Sequence, residues 1–309
     1  TEQAALKSAR LVGLGDKEGA DQAAVDGMHE QFALTPVSGT VVIGEGEIDE
    51  APMLYIGEHV GQGGEEVDIA VDPVEGTNLV AKGKNGAIAV LAIAPKGCLL
   101  HAPDMYMQKI CVGPRAKGRI DIRASVTENL KNVADAMGRE VSDLTMVILD
   151  RERHEKIIRE AREAGARVYL ITDGDVVPSV DCGIQGSGIH MVMGSGGAPE
   201  GVLSAVGLKC LGGDMQARLL PQTEQEIQRM HTMGIDDPNK VLTLDDLVKG
   251  DDCIFAETAI TDCAMLRGVR FFAGGARTST LVLRYKTGTV RFIDTVHRFG
   301  EDKPGVRMF

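Results

Sequence analysis

The chain has 309 residues, 43% of them hydrophobic and 25% charged, and a formal net charge of −12 from 33 Lys and Arg against 45 Asp and Glu. That length supports two lobes or one large α/β unit, with ample material for a core. The acidic balance argues against a dedicated binder of nucleic acid or anionic membrane, whose phosphates need a basic footprint, and the lack of Trp with only 4% aromatics leaves few platforms for stacking single strands.

Residues 1–33 read as two helices, with Leu6, Leu11, Val25 and Met28 as apolar positions and a break at Gly13-Leu-Gly15-Asp16. The opening Thr1-Glu-Gln-Ala-Ala-Leu6 reads as helix, and no signal peptide is expected from it. Thr40–Ile43 is predicted as a short buried strand running into the acidic turn Gly44-Glu-Gly-Glu-Ile-Asp-Glu50. Pro52 is expected to start a short helix with Met53, Leu54 and Ile56 on its apolar side. Val67–Val71 is a second strand, which Pro73 is expected to end. Strands are predicted near 87–94 and 105–112, joined through Gly97. The apolar run from Ala87 to Pro95 is far shorter than the roughly 18 to 20 residues of a membrane helix.

From residue 145 the rhythm alternates. Strands at 145–149, 167–171 and 190–193 are interleaved with helices near 153–164 and 199–211, which predicts a mostly parallel sheet with helices on both faces. Residues 253–297 read as strands again, with Lys286-Thr-Gly-Thr289 as a hairpin turn. Cys98, Cys111, Cys182, Cys210, Cys253 and Cys263 form no C-x-x-C pair, so free thiols and a cytoplasmic location are expected.

The acids fall at the carboxyl ends of predicted strands, where open α/β sheets bind ligands. Glu45, Asp72, Asp150, Asp173, Asp175 and Glu200 all lie there, and Arg151 follows Asp150. Asp72-Pro-Val-Glu75-Gly76-Thr77 puts two carboxylates and a hydroxyl within six residues, a set suited to Mg²⁺ or Mn²⁺. The same residues also fit a plain turn with Thr77 as a cap. Glu45, Glu47, Asp49 and Glu50 either face water or share a cation. Asp16 to Asp21 is a weaker signal, because acids are common in a first helical turn. Gly194-Ser-Gly-Gly-Ala-Pro-Glu-Gly201 reads as a strand-to-helix turn whose amides could hold phosphate, although it is no Walker loop. Arg151-Glu152-Arg153-His154 is either a phosphate clamp or a solvated helix start, and His154 is expected at the surface. Tyr106 reads as a core or edge-strand tyrosine. Divalent cations would invert the field of such an acidic site, so metal-assisted transfer of phosphate to water is the economical chemistry.

Four segments together resemble bacterial class II fructose-1,6-bisphosphatase: Val42 to Gly57, Asp68 to Thr77, Ala102-Pro-Asp-Met-Tyr-Met107 and Gly196-Gly-Ala-Pro-Glu-Gly201. The Asp-Pro-x-Glu-Gly-Thr element marks the wider lithium-sensitive sugar and inositol phosphatase superfamily, and the other segments are more specific. The resemblance implies a layered αβαβα sugar-phosphatase sandwich that removes the 1-phosphate of fructose 1,6-bisphosphate in gluconeogenesis, with Mn²⁺ or Mg²⁺. Its metal ligands match Asp21, Glu45, Asp72, Glu75 and Glu200, and its catalytic residues match Thr77 and Glu200. Its substrate contacts match Glu75, Gly76, Thr77, Tyr106, Arg151, Glu152, Arg153, Asp173, Gly174, Asp175 and Glu200. It also implies a homo-oligomer, dimer or tetramer, with no nucleic-acid or membrane partner. The expected division is an N-terminal α+β metal-binding lobe, 1–118, and a C-terminal α/β substrate lobe, 119–309, with the terminal strands able to return to the first.

Three positions depart from the family pattern: Glu152 replaces a proline, Ser195 replaces Ile-Gly-Gly's first residue, and Asn78 replaces an arginine. The connection Leu219–Thr223 is also shorter, by on the order of ten residues, which is either a true deletion or a mobile loop absent from this sequence, since long loops are often disordered. Another sugar or inositol phosphate, such as sedoheptulose 1,7-bisphosphate, is the alternative substrate. A non-catalytic sugar-phosphate-binding module is the alternative of another class.

Overall fold

The computed structural model describes residues 1–46, 53–102, 104–232, 235–237 and 239–299. Glu47, Asp49, Glu50 and Pro52 lie outside the described residues. The chain divides into two compact units, one running to Lys96 and resuming at Asp252, the other Gly97–Asp251. The expected division near residue 118 is displaced because strand Tyr106–Val112 pairs with Met191–Gly197 and Asp214–Leu219, not with Ile88–Pro95. Gly97 therefore connects two sheets, not two paired strands.

In the first unit an eight-stranded sheet has the order 270–272, 275–284, 254–259, 88–95, 65–75, 37–43, 59–60, with 289–298 paired to 275–284. Strands 37–43 and 65–75 run parallel, and the other pairs are antiparallel. Helices Glu2–Ser8 and Lys17–Phe32 flank the predicted break. Asp16 caps the second by accepting the Gly19 N–H at 2.8 Å. Leu6, Val25, Met28 and Phe32 bury against Val41, Ile69 and Val71 of the sheet, at 5% exposure or less. Residues 53–58 contain no helix, contrary to expectation, and Leu54 holds a left-handed φ of +57°. The predicted hairpin forms, with Arg284 opposite Thr289.

The second unit is a six-stranded sheet in the order 242–243, 214–219, 106–112, 191–197, 145–149, 167–171. Its parallel pairs are those of 145–149 with 167–171 and with 191–197. The sheet is thus mixed, not mostly parallel, because 106–112 and 214–219 enter it antiparallel. Helices Val126–Met137 and Glu155–Glu163 cover one face, with Leu130, Val133 and Ile158 on Ile110, Ile148 and Met193. Strand alternation turns Met107, Lys109 and Cys111 to the other face. Helix Ala198–Leu211 lies there, and Met107 Sδ fills the space over Gly201.

Both units are mixed α/β. The cysteines are all free. Among the described residues no helix is long and apolar enough to cross a membrane.

Candidate active site

The first unit assembles the acids at the end of strand Glu65–Glu75. The strand does not stop at Pro73; it runs on to Glu75. Asp72 pairs with Val90 and Glu75 with Ile88, so the three steps from Asp72 to Glu75 oppose only two on the partner. Residues three apart in a regular strand point to opposite faces. The extra residue of this bulge cancels that offset and brings Asp72 and Glu75 to one side. Their carboxylate oxygens lie within 4.8 Å of one another. Asp72 also accepts the Val74 N–H at 3.0 Å, which fixes its rotamer. Gly76 then turns the chain through a φ of +90°, open to glycine at little cost, and Thr77 begins the short helix Thr77–Ala81.

Asp21, on helix Lys17–Phe32, and Glu45, just after strand Val37–Ile43, are hydrogen-bonded through their carboxyls. Burial raises Glu45 to about 8, and the Asp21 charge adds to the effect. Burial likewise raises Asp21, against the pull of Glu45 and Lys17. Two partly buried carboxyls that hold one proton between them are chemically suited to a divalent cation in its place.

In the second unit the sequence-derived residues gather at the carboxyl ends of 145–149, 167–171 and the end of 191–197. Arg151 donates to the backbone oxygens of Asp150, at 3.0 Å, and Thr172, at 2.8 Å. Arg153 donates from Nε to Ser195 Oγ at 2.9 Å and from Nη2 to Ser195 O at 2.8 Å. Its guanidinium sits 4.9 Å from the centroid of the Tyr106 ring. Tyr106 is 42% exposed on a strand paired at both edges, so it is neither a core nor an edge-strand tyrosine but a platform for Arg153. Glu152 is exposed. His154 is buried, against expectation. Its Nε2 accepts the Ser195 N–H at 2.9 Å and its Nδ1 lies 2.8 Å from Leu149 O, so it ties the arginine turn to the strand beside it. Burial depresses its pKa and keeps it neutral for that role.

Asp173 and Gly174 lie on the loop after strand Arg167–Ile171, and Asp175 opens helix Val176–Asp181. Asp175 accepts from Lys109 Nζ at 2.8 Å, a pair in which the two side chains are 9% and 1% exposed. Glu200 lies in the first turn of Ala198–Leu211, and its buried Oε2 has no hydrogen-bond partner among the described residues. Burial raises its carboxyl and the Lys109 charge opposes that rise. An orphaned buried carboxylate oxygen fits a cation ligand better than a solvated turn.

The glycines before Glu200 have a role other than the predicted phosphate loop. Residues Gly194 to Gly197 belong to strand Met191–Gly197, and the helix follows at once. A Cβ on Gly197 would stand 1.9 Å from Glu200 Oε2, and one on Gly196 2.4 Å from Asp175 Oδ2. Both glycines leave room for carboxylates. Lys109 is the residue that reading the sequence passes over. Its signal is a lysine between Met107 and Cys111 on an otherwise apolar strand face, in Met107-Gln-Lys109-Ile-Cys111.

Clustered carboxylates beside a threonine hydroxyl, with anchored arginines elsewhere on an α/β scaffold, define the class of metal-dependent phosphatases. The chain belongs to the bacterial fructose-1,6-bisphosphatase, glpX-encoded, family, whose model matches residues 1–297. A D-fructose 1,6-bisphosphatase class 2/sedoheptulose 1,7-bisphosphatase of Synechococcus sp. (strain JA-2-3B'a(2-13)) is 50% identical over 333 aligned positions, 99% of this chain and 96% of that protein. The protein of the same name from Crocosphaera subtropica is 49% identical over 321 positions, 96% of this chain and 93% of its own length. The first alignment is longer than the chain, so that relative carries segments missing here.

Proposed function

We propose that the chain hydrolyses the 1-phosphate of fructose 1,6-bisphosphate to fructose 6-phosphate and phosphate, as a gluconeogenic enzyme of the cytoplasm, active as a dimer or tetramer with Mn²⁺ or Mg²⁺. The observation that carries this reading is the bulge that aligns Asp72 and Glu75 on one side, two residues before Thr77. Asp21, Glu45, Asp72 and Glu75 are the proposed metal ligands, and Glu200 is assigned to the same chemistry. When bound, the cation supplies Lewis-acid charge to the ester.

Thr77 accepts a hydrogen bond from the attacking water and orients it toward phosphorus. Arg151 and Arg153 hold the phosphate that is not cleaved, since guanidinium matches its oxygens in pairs. The anchors on Ser195 and Tyr106 pre-set Arg153 for that contact, which saves ordering entropy on binding. Asp173 and Asp175 accept from sugar hydroxyls, with Gly174 letting the loop approach the sugar.

Sedoheptulose 1,7-bisphosphate is the second reading, favoured by the paired name that both relatives carry. Phosphate release from the two bisphosphates, with Mn²⁺, with Mg²⁺ and after chelation, tests the proposal. Release from fructose 1,6-bisphosphate that stops on chelation and returns with metal is expected. Turnover unaffected by a chelator, or binding without turnover, would overturn it.

A further inference from the structure

The second unit contains a cavity of about 550 Å³ that the phosphatase reading does not use. Arg115, Arg139, Arg167 and His190 line it, with the loop 183–189. Arg167 starts strand Arg167–Ile171 and His190 precedes Met191–Gly197, so the cavity lies at the amino ends of these strands. Arg151, Asp173 and Asp175 lie at the carboxyl ends of strands in the same sheet. A five-residue strand separates the two ends by roughly 15 Å. This is a different place from the phosphatase residues.

Its chemistry is one-signed. Among the described residues no Asp or Glu lines it, although the whole chain carries −12. Arg115 donates to Met137 O at 2.9 Å, and Arg167 to Thr145 Oγ1 at 3.3 Å and to Asp143 O, so neither guanidinium is spent on a carboxylate. Asp143, the acid whose charge reaches His190, accepts the Glu140 N–H.

His190 adds an observation that points to a ligand. It is buried, 8% exposed. The Thr145 N–H donates to its Nδ1 at 3.0 Å. Nδ1 is then the acceptor nitrogen, and the hydrogen of the neutral ring sits on Nε2. That N–H faces Arg139 Nη1 at 3.0 Å. Arginine only donates. Two donors meet at the cavity wall with no acceptor between them, an arrangement that an anion's oxygen resolves. Burial and the charges of Arg139 and Arg167 keep the ring neutral, which holds this tautomer in place.

We propose that this cavity is a second anion site, which takes the phosphate group of a small molecule on Arg139, Arg167 and the His190 Nε2–H. Arg115 lies at its margin. The volume accommodates more than a bare phosphate. Gly186 and Gly188, at φ of +90° and +77°, let the loop shape itself around the remainder.

Calorimetric titration of the Mg²⁺-loaded full chain with inorganic phosphate tests this. Three phosphates per chain are expected, two at the phosphatase subsites (the metal side and that of Arg151 and Arg153) and one in this cavity. The double variant Arg139→Ala/Arg167→Ala is expected to bind one fewer, with kcat/KM for fructose 1,6-bisphosphate within about twofold. Should that variant fail to fold, Arg115→Glu, whose exposed guanidinium holds only a carbonyl, is expected to weaken the second site roughly tenfold, the scale of one charge-assisted contact. Ribose 5-phosphate distinguishes the source. If it binds this cavity at least tenfold tighter than phosphate, the ligand is an organic phosphate; if it binds equally, free phosphate is the ligand. A phosphate count that the double variant leaves unchanged from wild type would overturn the proposal.

Discussion

Lys109 and Asp175 form a buried ion pair, Nζ to Oδ1 at 2.8 Å, on the inward face of the second sheet. Glu200 adds a further charge that acts on the same ammonium. Losing one member of such a pair strands the other, which typically costs about 3–5 kcal/mol. Lys109→Met is therefore expected to lose about that much stability. Lys109→Met/Asp175→Asn should recover most of the stability but not the phosphatase activity. Denaturant melts of the two variants check this, and an unchanged melt for Lys109→Met would refute it.

The glycines before Glu200 make a sharper case. The Cβ of Gly197→Ala would stand 1.9 Å from Glu200 Oε2, which must then turn away. Strand backbone at φ −65° and ψ 146° suits alanine, so the fold should lose little, on the order of 1 kcal/mol. Activity should fall at least tenfold. Steady-state kinetics beside a thermal melt would separate the two effects; equal loss in both would mean that Gly197 serves only the fold.

Much of this was readable in the sequence because the signals are local. The helix break at Gly13-Leu-Gly15 and the hairpin at Lys286–Thr289 depend on turn chemistry within a few residues. The acids of Asp72-Pro-Val-Glu75 announced themselves by spacing, although the bulge that lets them share a side depends on pairing with strand Ile88–Pro95. The rest depends on long-range partners. Strand Tyr106–Val112 looks like a neighbour of 88–95 until 191–197 and 214–219 claim both its edges. His154 looks like a surface residue until Ser195, 41 positions on, closes over it. Lys109 shows its meaning only once Asp175 lies beside it.

The Asp21–Glu45 pair sets a pH dependence. Glu45 is raised from 4.5 to about 8 in the fold. A carboxyl raised in this way binds its proton more tightly folded than unfolded, so its contribution is present at low pH and is lost as pH rises from about 4.5 to about 8. The metal-free protein should lose melting temperature across that window. Saturating Mn²⁺ should flatten the loss, because the cation binds only the folded arrangement. Melts at half-unit pH steps, with and without metal, check both parts. A metal-free profile that is flat or rises from pH 5 to 8 would contradict the pairing.

Asp181 gives a second slope away from the phosphatase residues. It is 1% exposed, neither carboxylate oxygen has a hydrogen-bond partner among the described residues, and burial raises it from 3.8 to about 7. Its ionisation destabilises the fold progressively between those values, by roughly 2–4 kcal/mol at neutral pH. Asp181→Asn should be more stable than wild type at pH 8 and no better at pH 4, as measured by urea unfolding at the two values.

Thr77 offers the most direct test of the chemistry. Its neighbours on both sides are fixed without its hydroxyl: Gly76 makes the turn, and Leu79 and Val80 bury beneath the short helix. Removing the hydroxyl should therefore leave the melt within about 1 kcal/mol of wild type. It should also leave metal affinity unchanged, since the proposed ligands are carboxylates. Turnover depends on how the water is aimed, and loss of a positioned acid–base group typically costs about 10² to 10⁴ in rate. Thr77→Ala should lose kcat by that factor with KM little changed, and Thr77→Ser should restore most of it, because serine keeps the oxygen and loses only a methyl. A near-normal kcat for Thr77→Ala would remove the threonine from the mechanism and leave the attacking water to be oriented by the carboxylates alone.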